Sequence, residues 1–489
     1  MLGRYRSQQA EPSAKTLLSS MLDHVKVMTN VEQATSPATI RLFGTNGIRG
    51  VVGKEVNVDL AYRVGSSVAT LFKGHPVLLG RDGRVSGRMI IEAAASGILA
   101  QGNDVLDHDT ITTPALQYLV RISNGAAGII VTASHNPPEY NGFKVIDTDG
   151  VEIPREKEAV VEDMVQKNHW TLSSQPGRRI KQDRIGIYLD AILRHLEGFD
   201  PDLFKRLTVI VDVGNGVSSL TTPILLGRLG CRVVVINGNI DGNFPGRQSE
   251  PRPENLNTLS KAVLQENADL GIAHDGDGDR AIFVDEIGTI HWGDRSFALV
   301  EDMILAEKPG SKIVTPLNSS MAVKEIADKR KGHVILTKVG SIYVSRTMLN
   351  ENAILGGEEN GGIFYAPHHS VRDGTMAAAL ILRAIAKNGQ SLSKIMSKLP
   401  SYHMSKEKVL CGNSGECERA MQRLSEKIKD RVSSTMDGIK VEVDGRGWVL
   451  IRPSGTEPLI RIYAEGKTES DVKAIIGKYK PLVVESLNA

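Results

Sequence analysis

The 489-residue sequence has few aromatic side chains, few cysteines and no long apolar run. Aromatic residues make up 4% of the chain, which argues against a protein that binds single-stranded nucleic acid by stacking bases on its surface. No apolar stretch is long enough for a membrane-spanning helix. The 59 basic and 57 acidic residues nearly cancel, so no strong field attracts nucleic acid or anionic lipid. We therefore expect neither nucleic acid nor a membrane as a partner.

The three cysteines, Cys231, Cys411 and Cys417, do not have the spacing of a zinc site. Their low, odd number is typical of a protein in a reducing compartment. Residues 1–39 lack the long apolar segment and the cleavage site of a secretory signal. We expect a cytoplasmic protein in which these residues form a poorly ordered extension.

From residue 40 onward, apolar strands are followed by glycine-containing turns and helices, as at residues 207–229. This alternation predicts α/β domains with mixed, mostly parallel sheets, and the chain is too long for one core. After residue 403 a hairpin and two helices predict a smaller α+β domain. The expected segments are an extension and four domains, at residues 1–39, 40–182, 183–288, 289–402 and 403–489.

A serine follows the apolar strand at residues 128–131, at the edge of an α/β sheet where ligands bind. Ser134 is followed by His135 and, two residues later, by two prolines. This hydroxyl is a candidate covalent site. A turn capped by small polar residues explains the same segment without any chemistry. The segment by itself leaves both interpretations open.

Three aspartates, Asp275, Asp277 and Asp279, alternate with glycines between two apolar strands. Carboxylates this close repel one another unless a cation neutralises them, and oxygen ligands select Mg²⁺ or Ca²⁺. An EF-hand is disfavoured because its sixth position requires glycine and is Arg280 here. A turn without metal is disfavoured by the flanking apolar strands. Three protein oxygens leave open positions on Mg²⁺, which suits a phosphate ligand.

A basic loop near the C-terminus combines a guanidinium, hydroxyls and a glycine turn. Arg452, Ser454, Gly455 and Thr456 form it, and Arg461 lies just beyond. Charge-assisted donors and backbone amides of this kind suit a phosphate. An ordinary polar hairpin turn is the alternative.

Two further glycine-rich loops carry polar side chains. Residues 44–50 contain three glycines and Arg49, and such a loop can approach a phosphate closely. Residues 356–362 contain Glu358 and Asn360, whose oxygen and nitrogen atoms match sugar hydroxyls. A flexible surface turn is the alternative for each loop.

Common nucleotide-binding and hydrolase motifs are incomplete. The P-loop pattern fails because Arg461 stands where its first glycine would be. Residues 214–219 lack the third glycine of a dinucleotide-binding fingerprint. Ser134 is not within Gly-x-Ser-x-Gly, so a hydrolase nucleophile elbow is missing.

Taken together, the loops resemble those of the α-D-phosphohexomutases. The resemblance covers about residues 40–485 and follows that family's order. The matching segments are residues 44–50, 132–138 with 141–144, 275–280, 357–361 and 452–458. The resemblance implies four domains around a central cleft. From the first to the last, they would carry the phosphoserine, the metal, the sugar-binding loop and a phosphate-binding loop.

The resemblance also implies roles for residues around the reacting phosphate. Ser134 matches the serine that carries a phosphoryl group. Asp275, Asp277 and Asp279 match the Mg²⁺ ligands, with the phosphoserine oxygen as a further ligand, and Arg280 would add positive charge.

Other matching residues would act on the substrate. Arg49, His135 and Lys144 match positions near the transferring group, and Lys144 is the general-base candidate. Glu358 and Asn360 fall in the sugar-binding loop. The residues implied to hold the phosphate that does not react, or to contact sugar or phosphate, are Arg452, Ser454, Gly455, Thr456, Arg461 and Lys338.

The activity implied is the interconversion of hexose 6-phosphate and hexose 1-phosphate through a 1,6-bisphosphate, with hexose 1,6-bisphosphate as the primer. Residues 134–142, 356–362 and 404–408 are most similar to archaeal-type phosphoglucosamine mutases, although in some branches a serine stands at Asn360. Glucosamine 6-phosphate is therefore the expected substrate, and phosphomannomutase/phosphoglucomutase activity is the alternative.

Two other classes of function remain open. A Mg²⁺-dependent sugar phosphatase would pass the phosphate of Ser134 to water, and a non-catalytic protein would only bind sugar phosphates. In each case the partner is a small sugar phosphate. The pattern leaves open whether the protein is a monomer or a homo-oligomer.

Overall fold

Four β-sheets organise the chain, and each is built from one consecutive stretch of sequence. The structure is a computed structural model that describes residues 42–44, 46–443, 445–454 and 457–488. The expected N-terminal extension, and Gly455 and Thr456 of the basic loop, lie outside the described residues. Within the described ranges, no helix has both the length and the apolar character needed to cross a membrane.

The first sheet has six strands in the order β1-β5-β4-β2-β3-β6. Strands β4, β2, β3 and β6 are parallel, and β5 runs antiparallel between β1 and β4. The strands are β1 (Ile48–Val51), β2 (Val77–Arg81), β3 (Val105–Thr110), β4 (Ala127–Val131), β5 (Tyr140–Ile146) and β6 (Arg179–Lys181). The helices are α1 (Val58–Leu71), α2 (Gly87–Ala100), α3 (Thr113–Ile122) and α4 (Arg155–Lys167).

The second sheet has the order β11-β10-β9-β7-β8, in which β9, β7 and β8 are parallel. Strands β10 and β11 are antiparallel. The strands are β7 (Thr208–Asp212), β8 (Arg232–Ile236), β9 (Leu270–His274), β10 (Ala281–Asp285) and β11 (Ile290–His291). The helices are α5 (Ile185–Leu193), α6 (Pro201–Lys205), α7 (Thr222–Arg228) and α8 (Asn257–Gln265), with 3₁₀ turns at Arg194–Leu196, Val217–Leu220 and Pro253–Asn255.

The third sheet has the order β13-β12-β14-β15-β16 and is parallel in its first three strands. Strands β15 and β16 are antiparallel. The strands are β12 (Lys312–Pro316), β13 (His333–Thr337), β14 (Leu355–Gly357), β15 (Ile363–Tyr365) and β16 (His369–Arg372). The helices are α9 (Gly293–Glu307), α10 (Met321–Arg330), α11 (Ser341–Glu351), α12 (Gly374–Asn388) and α13 (Leu392–Met396).

The fourth sheet is antiparallel throughout, in the order β17-β21-β20-β19-β18. The strands are β17 (His403–Leu410), β18 (Val432–Ser434), β19 (Ile439–Val443), β20 (Gly447–Pro453) and β21 (Leu459–Gly466). The helices are α14 (Ser414–Ile428) and α15 (Glu469–Asn488), with a 3₁₀ turn at Lys429–Arg431. The hairpin and the two helices predicted after residue 403 are confirmed.

The first three sheets share an apolar core, whereas the fourth sheet has its own. One apolar cluster runs through the first three sheets, and helix α12 is buried along most of its length within it. The fourth sheet and its two helices have a separate core. A small cluster of Leu317, Trp448, Leu450 and Tyr463 joins that part to the third sheet. The predicted fold class, three mixed α/β parts and a smaller C-terminal α+β part, is confirmed.

A disulfide links Cys411 and Cys417, and Cys231 is a buried free thiol. The sequence analysis did not predict this pair. Cys411 follows β17 and Cys417 lies in the first turn of α14, so the fold brings their Cα atoms to 5.7 Å. That distance is within the range a disulfide spans.

Candidate active site

Ser134 is buried in the loop between β4 and β5. Its φ of +52° is uncommon for a residue other than glycine. The Ser134 amide donates to Thr132 Oγ1 at 2.8 Å, and its hydroxyl donates to Asp275 Oδ2 at 3.0 Å. The unusual backbone therefore directs the hydroxyl onto the acidic loop between β9 and β10.

The Arg84 guanidinium, which the sequence analysis missed, holds the Ser134 loop through backbone carbonyls. Its Nη2 donates to the oxygens of Ser134 and Asn136 at 2.9 and 2.6 Å. Its Nη1 donates to those of Pro137 and Tyr140 at 2.5 and 2.9 Å. The planar, rigid fork of arginine suits several acceptors at once. In the sequence, the only indication of this role was that an arginine follows the glycine in the turn after β2.

A second layer of contacts holds Arg84 itself. Asp82 Oδ2 accepts from Arg84 Nε at 3.1 Å and from the Thr132 hydroxyl at 2.6 Å. From the second part of the chain, the Ser249 hydroxyl donates to the Ser134 carbonyl at 3.1 Å. The loop is thus held by two consecutive domains.

Asp275, Asp277 and Asp279 are buried, and each offers an oxygen within 4.8 Å of the others. Burial, followed by repulsion from Asp279 and Asp277, raises the pKa of Asp275 well above its usual range. Asp277 Oδ1 and Asp279 Oδ1 are buried without a hydrogen-bond partner among the described residues. Acceptor oxygens in such an arrangement fit a hard divalent cation.

Cations occupy the other oxygens of the same carboxylates. Lys144 Nζ donates to Oδ2 of Asp277 at 2.8 Å and to Oδ2 of Asp279 at 2.9 Å. The Thr113 hydroxyl also donates to Asp277 Oδ2, at 2.7 Å. The donors on the Oδ2 atoms leave both Oδ1 atoms without a hydrogen bond, and Arg280 Nε lies 3.8 Å from Asp279 Oδ1. A metal could bind these oxygens.

Lys144 is a charged amine in this arrangement. Burial lowers its pKa, but the carboxylates of Asp277 and Asp279 outweigh burial and raise it. The structure thus places the Lys144 amine against the acidic loop. The general-base role that the resemblance implies for Lys144 stays a prediction.

Arg372, at the end of β16, joins the acidic loop to the Glu358 loop (residues 356–362), and the sequence analysis also missed it. Its Nη2 donates to Asp279 Oδ2 at 2.6 Å, and its Nη1 donates to Glu358 Oε2 at 3.2 Å. Burial raises the pKa of Glu358, and the nearby arginines oppose this. In the sequence, the only indication of this role was a charged residue at the end of a short strand.

His135 and Arg49 lie at the rim of the Ser134 loop. Arg280 Nη2 is 3.2 Å from His135 Nδ1, and a guanidinium can only donate, so Nδ1 accepts and the ring proton is on Nε2. Burial, then Arg280, lowers the pKa of His135 and keeps it neutral. Arg49 Nη1 donates to Asn136 Oδ1 at 2.8 Å.

The Glu358 loop also touches the C-terminal part of the chain. Asn360 Oδ1 accepts from the Gly362 amide at 3.2 Å, which shapes the turn. Glu359 Oε2 accepts from Trp292 Nε1 at 2.7 Å and from Lys406 Nζ, in β17, at 2.5 Å. The loop is therefore bonded to the fourth sheet.

The remaining sequence-predicted residues have different partners. Arg452 Nε lies 3.1 Å from Asp437 Oδ2, and Arg461 Nη2 lies 3.1 Å from Glu457 Oε2. Ser454 is half-buried, and the Lys338 side chain is exposed at the end of β13. The structure thus joins the Ser134 loop, the acidic loop and the Glu358 loop in one polar network. The basic loop lies on the fourth sheet.

Consecutive parts of the chain match four sequence families. They are phosphoglucomutase/phosphomannomutase alpha/beta/alpha domain I (residues 40–171), domain II (187–288), domain III (292–402) and the C-terminal domain (414–478). The chain is also similar to proteins of known name and structure.

A phosphoglucomutase/phosphomannomutase of Thermococcus kodakarensis is 39% identical over 455 residues, which is 91% of this chain and 99% of the relative. A phosphoglucosamine/phosphogalactosamine mutase of Sulfurisphaera tokodaii is 39% identical over 452 residues, with the same shares of each chain. The crystal structure of a phosphoglucomutase/phosphomannomutase family protein from Burkholderia thailandensis superposes with a TM-score of 0.81 at 27% identity, and covers 91% of this chain and 97% of that one.

Proposed function

This chain belongs to the phosphoglucomutase/phosphomannomutase family, and from this premise we propose that it is a phosphohexomutase that converts glucosamine 6-phosphate to glucosamine 1-phosphate through phosphorylated Ser134. The observation that carries the proposal is the 3.0 Å contact between the Ser134 hydroxyl and Asp275 Oδ2, beside two buried carboxylate oxygens without partners. A serine next to such a triad suits a phosphoryl carrier, because one metal ion could bind the carboxylates and neutralise the phosphoryl group together.

The triad would hold a Mg²⁺ ion through Asp275, Asp277 and Asp279. Bound there, Mg²⁺ would neutralise charge on the phosphoryl group in transit. Lys144 and Arg372 keep the Asp279 carboxylate oriented through its Oδ2 atom. Their positive charges also offset the negative charge that a phosphoserine brings.

The proposed cycle has two transfers. In the first, a sugar hydroxyl attacks the phosphorus as the bond between phosphorus and Ser134 Oγ breaks, and the hydroxyl's proton passes to the released Ser134 Oγ, which restores the serine hydroxyl. The product is a hexose 1,6-bisphosphate. It turns around in the cleft, and Ser134 then takes the other phosphate. A hexose 1,6-bisphosphate added as a primer would phosphorylate an enzyme whose Ser134 is bare.

Substrate recognition is proposed for two sets of residues. Glu358 and Asn360 would bind sugar hydroxyls, and His135 and Arg49 would contact the transferring group. The set proposed for the non-reacting phosphate is Arg452, Ser454, Gly455, Thr456 and Arg461, with Lys338 as a further contact.

An assay of three hexose 6-phosphates would identify the preferred substrate. Glucosamine, glucose and mannose 6-phosphates are each supplied with Mg²⁺ and the matching 1,6-bisphosphate, and 1-phosphate formation is followed. We expect the highest kcat/KM with glucosamine 6-phosphate. A preference for glucose or mannose would instead support the second candidate, phosphoglucomutase/phosphomannomutase, the name carried by the 39%-identical Thermococcus relative. Release of inorganic phosphate without isomerisation would indicate a sugar phosphatase.

A further inference from the structure

Three cationic side chains form a row across β17, β21 and β20. Lys408 is paired with Arg461, and Arg461 is paired with Arg452. Directly opposed residues on antiparallel strands project from the same face of a sheet, with Cβ atoms about 5 Å apart. Lys408, Arg461 and Arg452 therefore share one face and lie side by side.

The face that carries the row is the one turned toward the third sheet. Side chains alternate along a strand, so Arg452 shares its face with Leu450. Leu450 and Tyr463 contact Leu317 of the third part of the chain. The opposite face, which carries Ile451, packs against helices α14 and α15. The row thus lies on the sheet face that meets the third part of the chain, and Arg452 is at the described start of the basic loop.

Like charges directly opposite one another on a sheet destabilise it unless something compensates them. Arg452 has Asp437 at 3.1 Å and Arg461 has Glu457 at 3.1 Å. Lys408 is exposed, and within the described ranges it has no carboxylate within ion-pair distance. The pair of carboxylates balances the two arginines, so the uncompensated charge of the row is that of Lys408.

One arginine of the row has a poorly satisfied donor. Arg452 Nε is buried and lies 3.1 Å from Asp437 Oδ2, but this ion pair lacks hydrogen-bond geometry. A better aligned acceptor, such as an oxygen of a bound anion, would satisfy this donor more fully. An anion beside Arg452 would lie next to the row of cations.

We propose that Lys408 is an additional ligand of the substrate's non-reacting phosphate, and this inference rests on the proposed function. A phosphate monoester carries close to two negative charges, which two arginines paired with carboxylates neutralise incompletely. The ammonium group of Lys408, on a flexible four-carbon stem, can follow a phosphate that arrives in two substrate orientations. No bond is made or broken at Lys408, because its role is binding.

The test compares Lys408→Gln and Lys408→Arg with Lys473→Gln, a matched loss of one charge on α15, where the lysine is 80% exposed. Losing one charge-assisted contact should raise KM for glucosamine 6-phosphate about tenfold and leave kcat within about twofold. Lys408→Arg should restore KM, and Lys473→Gln should not change it. Without ligand, Lys408→Gln should melt at or slightly above the wild-type temperature, because it relieves repulsion from Arg461. Lys408→Arg and Lys473→Gln should melt close to the wild type.

A binding measurement separates recognition from catalysis. Calorimetric titration of glucosamine 6-phosphate into Ser134→Ala and into Ser134→Ala/Lys408→Gln should show about tenfold weaker binding in the double variant. Equal affinity, or a KM change matched by Lys473→Gln, would overturn the inference. A wild-type enzyme without mutase activity would instead contradict the proposed function, whereas an active wild type with unchanged KM in Lys408→Gln contradicts only the role of Lys408.

Discussion

The Ser134 loop and the C-terminal sheet that carries Arg452 and Arg461 differ in how they are held. Ser134 is buried, its loop carbonyls accept four bonds from Arg84, and its domain shares a core with two others. Arg452 and Arg461 lie on a sheet with its own core, joined to the rest by a small apolar cluster. The Ser134 loop is therefore held within a shared core, whereas the C-terminal sheet meets the third part of the chain through a small apolar cluster and polar links.

The contrast matches the demands of the proposed reaction. Phosphoryl transfer depends on fixed positions and fixed charges. Release, turning and rebinding of a bisphosphate instead require part of the site to open, and elements that move come from the less stable parts of a protein. Polar links such as Lys406 to Glu359, and Lys440 Nζ to the Leu317 carbonyl at 2.8 Å, cross this boundary and can break without exposing a large core.

The largest expected effect is at the Ser134 loop. Ser134→Ala removes the phosphoryl acceptor, and mutase activity should fall by at least about a thousandfold, as for the loss of other nucleophiles. Folding should be retained, because Ala lacks only one hydroxyl. Initial rates and a melting curve measure both. Near-normal turnover by Ser134→Ala would contradict the assignment of the carrier.

The second effect concerns the metal triad. Asp277→Asn replaces one proposed ligand oxygen by an amide, and we expect Mg²⁺ affinity and rate to fall together by about 10- to 100-fold. Titrating activity with Mg²⁺ gives both values. Asp302→Asn, whose carboxylate pairs with Arg330 at 2.7 Å in the third part of the chain, is the control and should respond like the wild type. An unchanged Mg²⁺ response of Asp277→Asn would mean that the triad does not bind the ion.

The third prediction concerns the contacts by which Arg84 holds the Ser134 loop. Arg84→Lys keeps a positive charge but cannot donate to four carbonyls at once. Unmade hydrogen bonds of this kind cost about 1–3 kcal/mol each, so the free energy of unfolding should fall by at least about 2 kcal/mol. Phosphorylation of Ser134 should slow in proportion. Denaturant unfolding and intact-mass kinetics provide the measurements, and wild-type values in both would show that the loop does not depend on Arg84.

The smallest effect is expected at the boundary between the third and fourth sheets. Glu465 Oε2 accepts from the Met321 amide at 2.7 Å and from Trp448 Nε1 at 2.9 Å. Burial raises the pKa of Glu465 to about 7. A carboxyl whose pKa is higher in the folded state binds a proton there that the unfolded state has already lost, so the folded state is destabilised as pH rises from about 4.5 to about 7.

The Glu465→Gln variant tests this pH dependence. It should lose the decrease in stability between pH 5 and 7 while keeping most of its activity. Thermal unfolding across that range measures the change. An identical slope in the wild type and in Glu465→Gln would assign the pH dependence to other groups.

Local patterns drew attention to Ser134 and the aspartate triad, which the structure brings together, whereas the arginines that contact them were missed. The aspartates of the triad lie within five consecutive residues, and Ser134 follows a recognisable strand, so one segment shows each pattern. Arg84 acts on a loop about 50 residues away and Arg372 on Asp279, 93 residues away. Contacts at such separations depend on strand order, which the alternation of strands and helices does not specify.

The C-terminal part shows the same limit of sequence analysis. Its hairpin and helices were predicted from local sequence patterns, and Arg452 and Arg461 were singled out because they lie in or beside a loop whose donors suit a phosphate. Lys408 joined them only once the β17–β21 register was known. The Cys411–Cys417 pair likewise required the fold, since six residues of separation suit both a pair and two free thiols.

The central claim is that Ser134 carries the phosphoryl group between the two ends of the sugar. Purified wild-type protein is incubated with glucosamine 1,6-bisphosphate, and its mass is measured before and after a chase with glucosamine 6-phosphate. We predict a gain of one phosphoryl group, located on Ser134 by peptide mapping and lost in the chase as bisphosphate forms. A protein that isomerises the sugar phosphate while Ser134 stays unmodified throughout would contradict the account.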